Sequence, residues 1–472
     1  MGNSTNSLSI ANSDGATLTA RQRISLGLAV VGVFLIFLAW LSGNLFNTSN
    51  FLWPSLTLMT IGTLWFTYET YAHHPDGIKN NNLWFNSLTN RGTIGWITGI
   101  LITAFYVCLY FFPSLLGYNP DGANISLIKM FDPISYMIKG EAASQWFVYG
   151  VLYTFAILIM GVKFIMKYRH NSYQIFRTIS VMFFQFGFAF MLPEIMYTLN
   201  ESLPYYDWKN MWPLNYYFFD SYNLDKMIDP GFKQSMDLST IMNEKSGLIG
   251  LMMLVWGLLM IFVVSPILAF FFGKRWYCSW VCGCGGLAET AGDPFRHLSD
   301  KSLKAWKIER WMIHLVLVIV VIMTILTLYT YFSGSGKFLG VDTYWVRKVY
   351  GFLIGSIFAG VIGVGFYPLM GSRVWCRFGC PMAAILGIQQ KYFSKFRITT
   401  NGSQCISCGN CSTYCEMGID VRWYAQRGQD VVRASCVGCG ICAAVCPRGV
   451  LKLENGPQDS RKLEMPEFTG IK

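Results

Sequence analysis

"SQCISCGNCSTYCEMG" (403–418) and "SCVGCGICAAVCPRG" (435–449) hold eight of the chain's 14 cysteines. In each stretch three cysteines stand at intervals of three and a fourth follows after three further residues; Pro447 comes directly after the last. The chain is 53% hydrophobic and only 13% charged, yet these thiols lie in one of its most polar regions. A cubane of four irons and four sulfides needs four converging thiolates. Three closely spaced cysteines wrap one side of it, and in this spacing the fourth comes from the other run. Cys405, Cys408, Cys411 and Cys446 are thus expected to hold one [4Fe–4S] cluster, and Cys436, Cys439, Cys442 and Cys415 a second. Zinc ribbons or disulfides are the alternatives, but zinc usually takes two C-x2-C pairs rather than repeated triplets plus one. Gly409, Gly438, Gly440, Ala443 and Ala444 are small enough for backbone N–H groups to approach the sulfurs.

The whole stretch, about 400–452, resembles the two-cluster bacterial ferredoxin module. Glu416 departs from it, standing where proline is expected; it is read as a solvated carboxylate.

Outward from this segment the chain turns apolar. Mean hydropathy is +0.38, with 36 Phe, 25 Tyr and 16 Trp in 472 residues, which points to a polytopic membrane protein. The fold expected is an all-α membrane bundle with a small C-terminal α+β ferredoxin-like domain. About eight apolar runs are long enough to span a bilayer: 25–43, 51–71, 92–112, 146–166, 175–197, 247–272, 311–333 and 350–370. The second carries Pro54 and Glu69. The expected organisation is a polar tail (1–24), an N-terminal bundle (25–245) with an aromatic outer loop (198–246), a second membrane part (247–398), the ferredoxin-like domain (399–452) and a polar tail (453–472). No cleavable signal is expected, because the first residues are polar.

The net charge of +11 does not point to nucleic acid, since the basic residues sit at the ends of apolar runs. Lys274, Arg275, Arg296, Lys301, Lys304, Lys307 and Arg310 fall in one loop; Arg373, Arg377, Lys391, Lys395 and Arg397 follow the last run; "KYRH" opens the 167–176 loop. All lie on one side of an eight-helix scheme, so the positive-inside rule places both termini in the cytoplasm, at the inner membrane. Lys337, Arg347 and Lys348 on the other side run against it.

Two more cysteine pairs follow apolar runs: "RWYCSWVCGCGG" with Cys278 and Cys282, and "RVWCRFGCPMAA" with Cys376 and Cys380. Each reads Arg, two residues, Cys, three residues, Cys, then small residues, an internal echo. On a helix, i and i+4 share a face, so the four sulfurs could form a site between two helix ends, with Cys284 as a substitute ligand. A third Fe–S cluster or a metal ion would fit; a redox disulfide or inert thiols are the alternatives. Taken with the C-terminal segment, about 247–450 resembles the polyferredoxin-type membrane proteins. These include the membrane iron–sulfur subunit of periplasmic nitrate reductase systems, the nitrous-oxide reductase regulator/maturation protein and the cytochrome oxidase accessory iron–sulfur protein. The first pair departs from the pattern, with Gly283 in place of proline. The resemblance implies membrane electron transfer with redox protein partners, possible quinone linkage and the surrounding lipid. Reduction of a metal such as copper during cofactor assembly, or a place in a larger redox complex, are its alternatives.

Weaker signals are Glu69 near His73 and His74, Glu194 after Pro193, and His314 in the seventh run. All are candidates for proton or cofactor roles but more ordinary as hydrogen-bonded helix residues. The segment 203–222 reads as an aromatic interfacial cover, and 285–297 as a loop near a cluster. Protein purified without oxygen should carry about eight irons per chain with two cubanes, and about twelve with a third. Iron and sulfide analysis with EPR checks the count.

Overall fold

The computed structural model describes residues 18–43, 45–72, 91–199, 211–214, 216, 255–401 and 404–455. His73, His74, most of 203–222, residues 247–254 and the polar tails lie outside these residues. Among the described residues six helices are long and apolar enough to cross a membrane: Ala20–Leu41, Thr93–Phe111, Gln145–Lys167, Ser172–Thr198, Leu303–Thr330 and Thr343–Gly365. Their starts follow from the sequence. Thr19 and Gln22 form a reciprocal capping box, while Ser144 and Ser302 accept from the N–H groups of Phe147 and Ala305, giving first-turn donors acceptors. The seventh expected run starts earlier than its apolar part: Lys304, Lys307 and Arg310, expected in a loop, occupy its opening turns.

Two of the eight expected runs differ in kind. Leu52–Tyr71 is a helix of 20 residues, but Thr57, Thr60, Thr63, Thr67, Glu69 and Thr70 keep it from the hydropathy of the six. The hydroxyls of Thr60, Thr67 and Thr70 donate to carbonyls one turn back in the same helix. The other is described as a shorter apolar helix, Val255–Phe271.

Leu52–Tyr71 packs along Ala20–Leu41 through small residues. Ser55 Oγ donates to Gly32 O at 2.8 Å, while Phe34 and Phe37 of the first helix face outward. Lipid is as apolar as leucine, so close backbone approach rather than hydrophobic burial holds such pairs together. Short helices Ser126–Met130 and Asp132–Lys139 fold between the next two spans. Leu127, Ile128 and Phe131 bury against Leu52, Leu109 and Phe147.

The C-terminal segment combines short helices with a two-stranded sheet. Strand Phe396–Thr400 pairs antiparallel with Leu451–Asn455, Ile398 opposite Leu453. This pairing brings the chain just before Cys405 beside the chain just after Cys446. The segment 285–297, expected as a loop, is largely helical, with turns at Gly283–Glu289 and Asp293–Leu298. Its Leu287, Ala288 and Phe295 find apolar partners in Ile157, Val181 and Tyr367.

A Cβ on Gly62 would lie 2.4 Å from Ala29 N and 2.7 Å from Ser25 O, both backbone atoms. Gly62→Leu should therefore separate the first two helices at a cost of about 1–3 kcal/mol. The expected outcome is a lower thermal unfolding midpoint in detergent with iron content retained.

Candidate iron–sulfur sites

Cys405, Cys408, Cys411 and Cys446 line one cavity, together with Gly409, Pro447, Val450 and Leu451. The backbone prepares both runs alike. Gly409 and Gly440, each directly after the second cysteine, have φ of 82° and 72°, a region costly for any residue with a Cβ. Each then starts a short helix, Asn410–Thr413 or Ile441–Ala444, that carries the third cysteine. Cys415 sits within electrostatic reach of Cys436, and Cys442 within reach of Cys439, Cys415 and Cys436. The structure thus gathers the cysteines into the two interleaved sets, and Cys411 lies near enough to Cys442 to feel its charge.

Burial lifts these thiols: Cys415 to about 11, Cys411 and Cys439 to about 12. Thiols so placed are protonated at neutral pH and become thiolates where a metal supplies positive charge. Four soft sulfur donors around one apolar-walled cavity fit an iron–sulfur cubane.

Cys278, Cys282, Cys376 and Cys380 are buried and interact as one group. Burial raises Cys380 first, and then the charges of Cys278, Cys376 and Cys282. Cys284 is hydrogen-bonded to Cys282 and joins the group. Neither pair lies along a single helix as expected. Cys278 belongs to Trp276–Trp280, and Cys282 is the residue before Gly283–Glu289. Cys376 belongs to Val374–Phe378, and Cys380 precedes Pro381–Phe393. The chain turns between the cysteines, and the second cysteine's N–H donates to the carbonyl of the residue before the first: Cys282 to Tyr277 at 2.8 Å, Cys380 to Trp375 at 3.0 Å. The two segments also exchange arginines. Arg275 Nη1 donates to Cys376 O at 3.4 Å, and Arg373 Nη1 to Cys278 O at 3.3 Å. Each arginine stands three residues before the cysteine of its own segment, so the sequence echo is a structural exchange.

The second cysteine run rests on this repeat and on the start of the Ser172–Thr198 helix. Ser279 Oγ donates to Val437 O at 2.6 Å, Tyr173 Oη to Gly438 O at 2.9 Å, Gln174 Nε2 to Cys439 O at 2.6 Å and Arg275 Nε to Ala434 O at 2.8 Å. Glu416, expected to be solvated, is fully buried. Its carboxylate meets Arg373 at 2.8 Å and Arg296 at 3.0 Å. Arg373 also meets Glu289 at 3.1 Å, and Glu289 pairs with Arg177. Asp293 binds Arg296 at 2.9 Å and both Lys163 and Lys167 at 2.8 Å. This network joins five cations to three carboxylates, leaving a positive surplus beside the second cysteine set. A cubane held by four thiolates is an anion, and that surplus suits it. Burial alone would raise Glu416 and Asp293, but the cations outweigh it: Glu416 is held at about 2 and Asp293 well below the carboxylate range. Glu289 goes the other way, raised by burial despite Arg177. Oxygens of Glu289 and Glu416 lie within 4.8 Å of Cys439 Sγ, but the arginines already engage both carboxylates.

The sequence reading missed this network. Its one visible signal was Lys163 inside an apolar run, since an ionisable residue there needs a partner. The weaker candidates lie apart from the cysteines. His314 Nδ1 is 2.6 Å from Arg310 O in its own helix, Glu69 lies 3.7 Å from Arg21, and Glu194 lies 3.8 Å from Lys139.

Comparison with known proteins agrees with this layout. A family described as "4Fe-4S binding domain" matches twice, at 254–302 and 351–399, once for each membrane cysteine pair. A family described as "4Fe-4S dicluster domain" matches 404–451. An Escherichia coli (strain K12) protein described as "Putative electron transport protein YccM" is 25% identical over 211 residues, 40% of this chain. The chain spans about half (55%) of that relative's length. No solved structure matches. The chain therefore carries ferredoxin-type 4Fe–4S segments on a mostly helical scaffold, with six candidate membrane spans among the described residues.

Asp293→Asn would leave Lys163, Lys167 and Arg296 buried without their shared counter-charge, at a cost of about 3–5 kcal/mol. Because the folded carboxyl is depressed, its contribution is full above the unfolded value of about 4 and is lost as pH falls through that range toward the folded value. Denaturant unfolding of wild type and variant at descending pH should show the two converging below about pH 4.

Proposed function

We propose that this chain is a membrane-bound iron–sulfur electron-transfer protein. It moves electrons between a cytoplasmic or quinone-linked partner and the cysteine site at the membrane surface, in the service of a respiratory reductase or oxidase system or its maturation. Cys405, Cys408, Cys411 and Cys446 would hold one [4Fe–4S] cluster; Cys436, Cys439, Cys442 and Cys415 a second; Cys278, Cys282, Cys376 and Cys380 a third cluster or a metal ion. Bound there, such centres supply one-electron chemistry. The chain's own residues fix their places, keep water from the third set and set the charge around them.

One observation carries this reading: the membrane cysteine repeat is hydrogen-bonded to the second cysteine run, through Ser279 on Val437 and Arg275 on Ala434. The first set opens on a surface cavity, where a soluble redox protein can approach. The name of the E. coli relative, an electron transport protein, supports the same reading. In this reading Leu52–Tyr71 and the helix ending at Phe271 are two further crossings, and both termini lie in the cytoplasm of an inner-membrane protein. Lys167, Arg169, Lys274, Arg275 and Arg373 gather at the end of the bundle that carries the cysteines, which supports this orientation.

A second reading, reduction of a metal ion such as copper for a respiratory metalloenzyme, is favoured by Cys284. It gives the membrane group a fifth thiol, one more than a cubane takes.

Cys446→Ser and Cys415→Ser should each remove about four irons, from different clusters, and leave distinct EPR spectra of the remaining one. Cys376→Ser should spare both and lower iron only where the membrane group holds a cluster; copper bound to that group and lost in the variant favours the second reading. Wild-type protein prepared without oxygen that is iron-poor, or loaded with zinc, overturns the proposal.

A further inference from the structure

An open cleft lies between the start of the Leu303–Ser333 helix, the Pro381–Phe393 helix and residues 432–435. It is lined by Arg275, Arg310, Lys391 and Arg433. Its one carboxylate, Glu309, is paired at 2.7 Å with Arg377. Three of the basic groups are braced by aromatic rings: Arg310 and Arg433 lie 5.4 and 4.2 Å from the Trp306 ring, and Lys391 lies 5.2 Å from the Tyr392 ring. A cleft of this charge selects an anion.

The surroundings say which anion. Directly beside the basic walls the surface is apolar and open: Trp311, Tyr392, Phe393 and Ile388 are 81%, 70%, 62% and 41% exposed. The helix runs from Arg310 and Trp311 straight into its membrane-spanning part. Tryptophan and tyrosine at that level mark the headgroup layer, and basic pockets between helices on the cytoplasmic side receive anionic lipid headgroups. We propose that this cleft binds the phosphate headgroup of an anionic phospholipid, with the acyl chains laid along Trp311, Ile388 and Phe393. The floor of the cleft is the backbone just before Cys436, which Arg275 already holds through Ala434 O. A lipid seated there braces the ferredoxin-like segment against the membrane. The inference does not depend on what the cysteines bind.

The full chain is placed in nanodiscs of phosphatidylcholine alone, or of phosphatidylcholine with a minor fraction of phosphatidylglycerol. Lipid retained on gentle extraction is read by native mass spectrometry, and stability by thermal unfolding. Phosphatidylglycerol should be kept in preference to phosphatidylcholine and should raise the unfolding midpoint. Arg310→Gln with Lys391→Gln should reduce that preference roughly tenfold or more, with iron content unchanged. The charge-keeping pair Arg310→Lys and Lys391→Arg should retain it, which separates charge from folding. Equal retention of the two lipids by wild type overturns the proposal. So does release of phosphatidylglycerol by inorganic phosphate alone, which would mark a free-phosphate site. A preference that survives the glutamine pair also overturns it.

Discussion

The ion pairs of Glu416 with Arg373 and Arg296 are the constraint on which the rest of the molecule depends. Each partner is almost completely buried. Removing such charges from water costs several kcal/mol apiece, recovered only when every partner is in place. Glu416 comes from the polar C-terminal segment; the two arginines come from the membrane part. Arg373 and Arg296 also have Glu289 and Asp293, but Glu416 meets them only when the ferredoxin-like segment is seated, and the position of Cys415, the residue before Glu416, is set with it. The same chain of charges continues through Glu289 to Arg177 and through Asp293 to Lys163 and Lys167. Two spanning helices are thereby tied to the cysteine sites.

The exchange of Arg275 and Arg373 gives the membrane cysteines a comparable rigidity. Each guanidinium bonds the opposite segment and also reaches the C-terminal segment, at Ala434 O or at Glu416. An electron-transfer site gains from such rigidity, because groups that do not move on a change of charge add little to the barrier. The turns at Val281 and Gly379 matter here. They place the second cysteine of each pair at the mouth of the next helix, so that the four sulfurs converge from chain turns instead of from two parallel helix faces.

Positive charge concentrated at one end of the bundle thus serves several purposes at once. It offsets the buried carboxylates, stands beside the cysteine sets and lines the cleft beside Trp306. A charge pattern that looks like a topological signal in the sequence is, in three dimensions, partly internal: Arg177, Arg296 and Arg373 face no solvent at all.

The sequence alone determined what depends on local spacing. The repeated cysteine triplets and the apolar runs of bilayer length are short-range features, and among the described residues six helices are long and apolar enough to cross a membrane. The echo between the 278–282 and 376–380 pairs was legible for the same reason. Tertiary structure decided what depends on partners distant in the chain. Glu416 read as solvated because nothing nearby in sequence opposes it; its arginines lie 43 and 120 positions away. The i, i+4 spacing of the membrane cysteines read as one helix face because spacing cannot show a turn between them. The helix Leu52–Tyr71 gains its place from the close approach of its own Gly62 and its neighbour's Gly32, and burial of a charge becomes favourable only once its counter-charges have been brought to it.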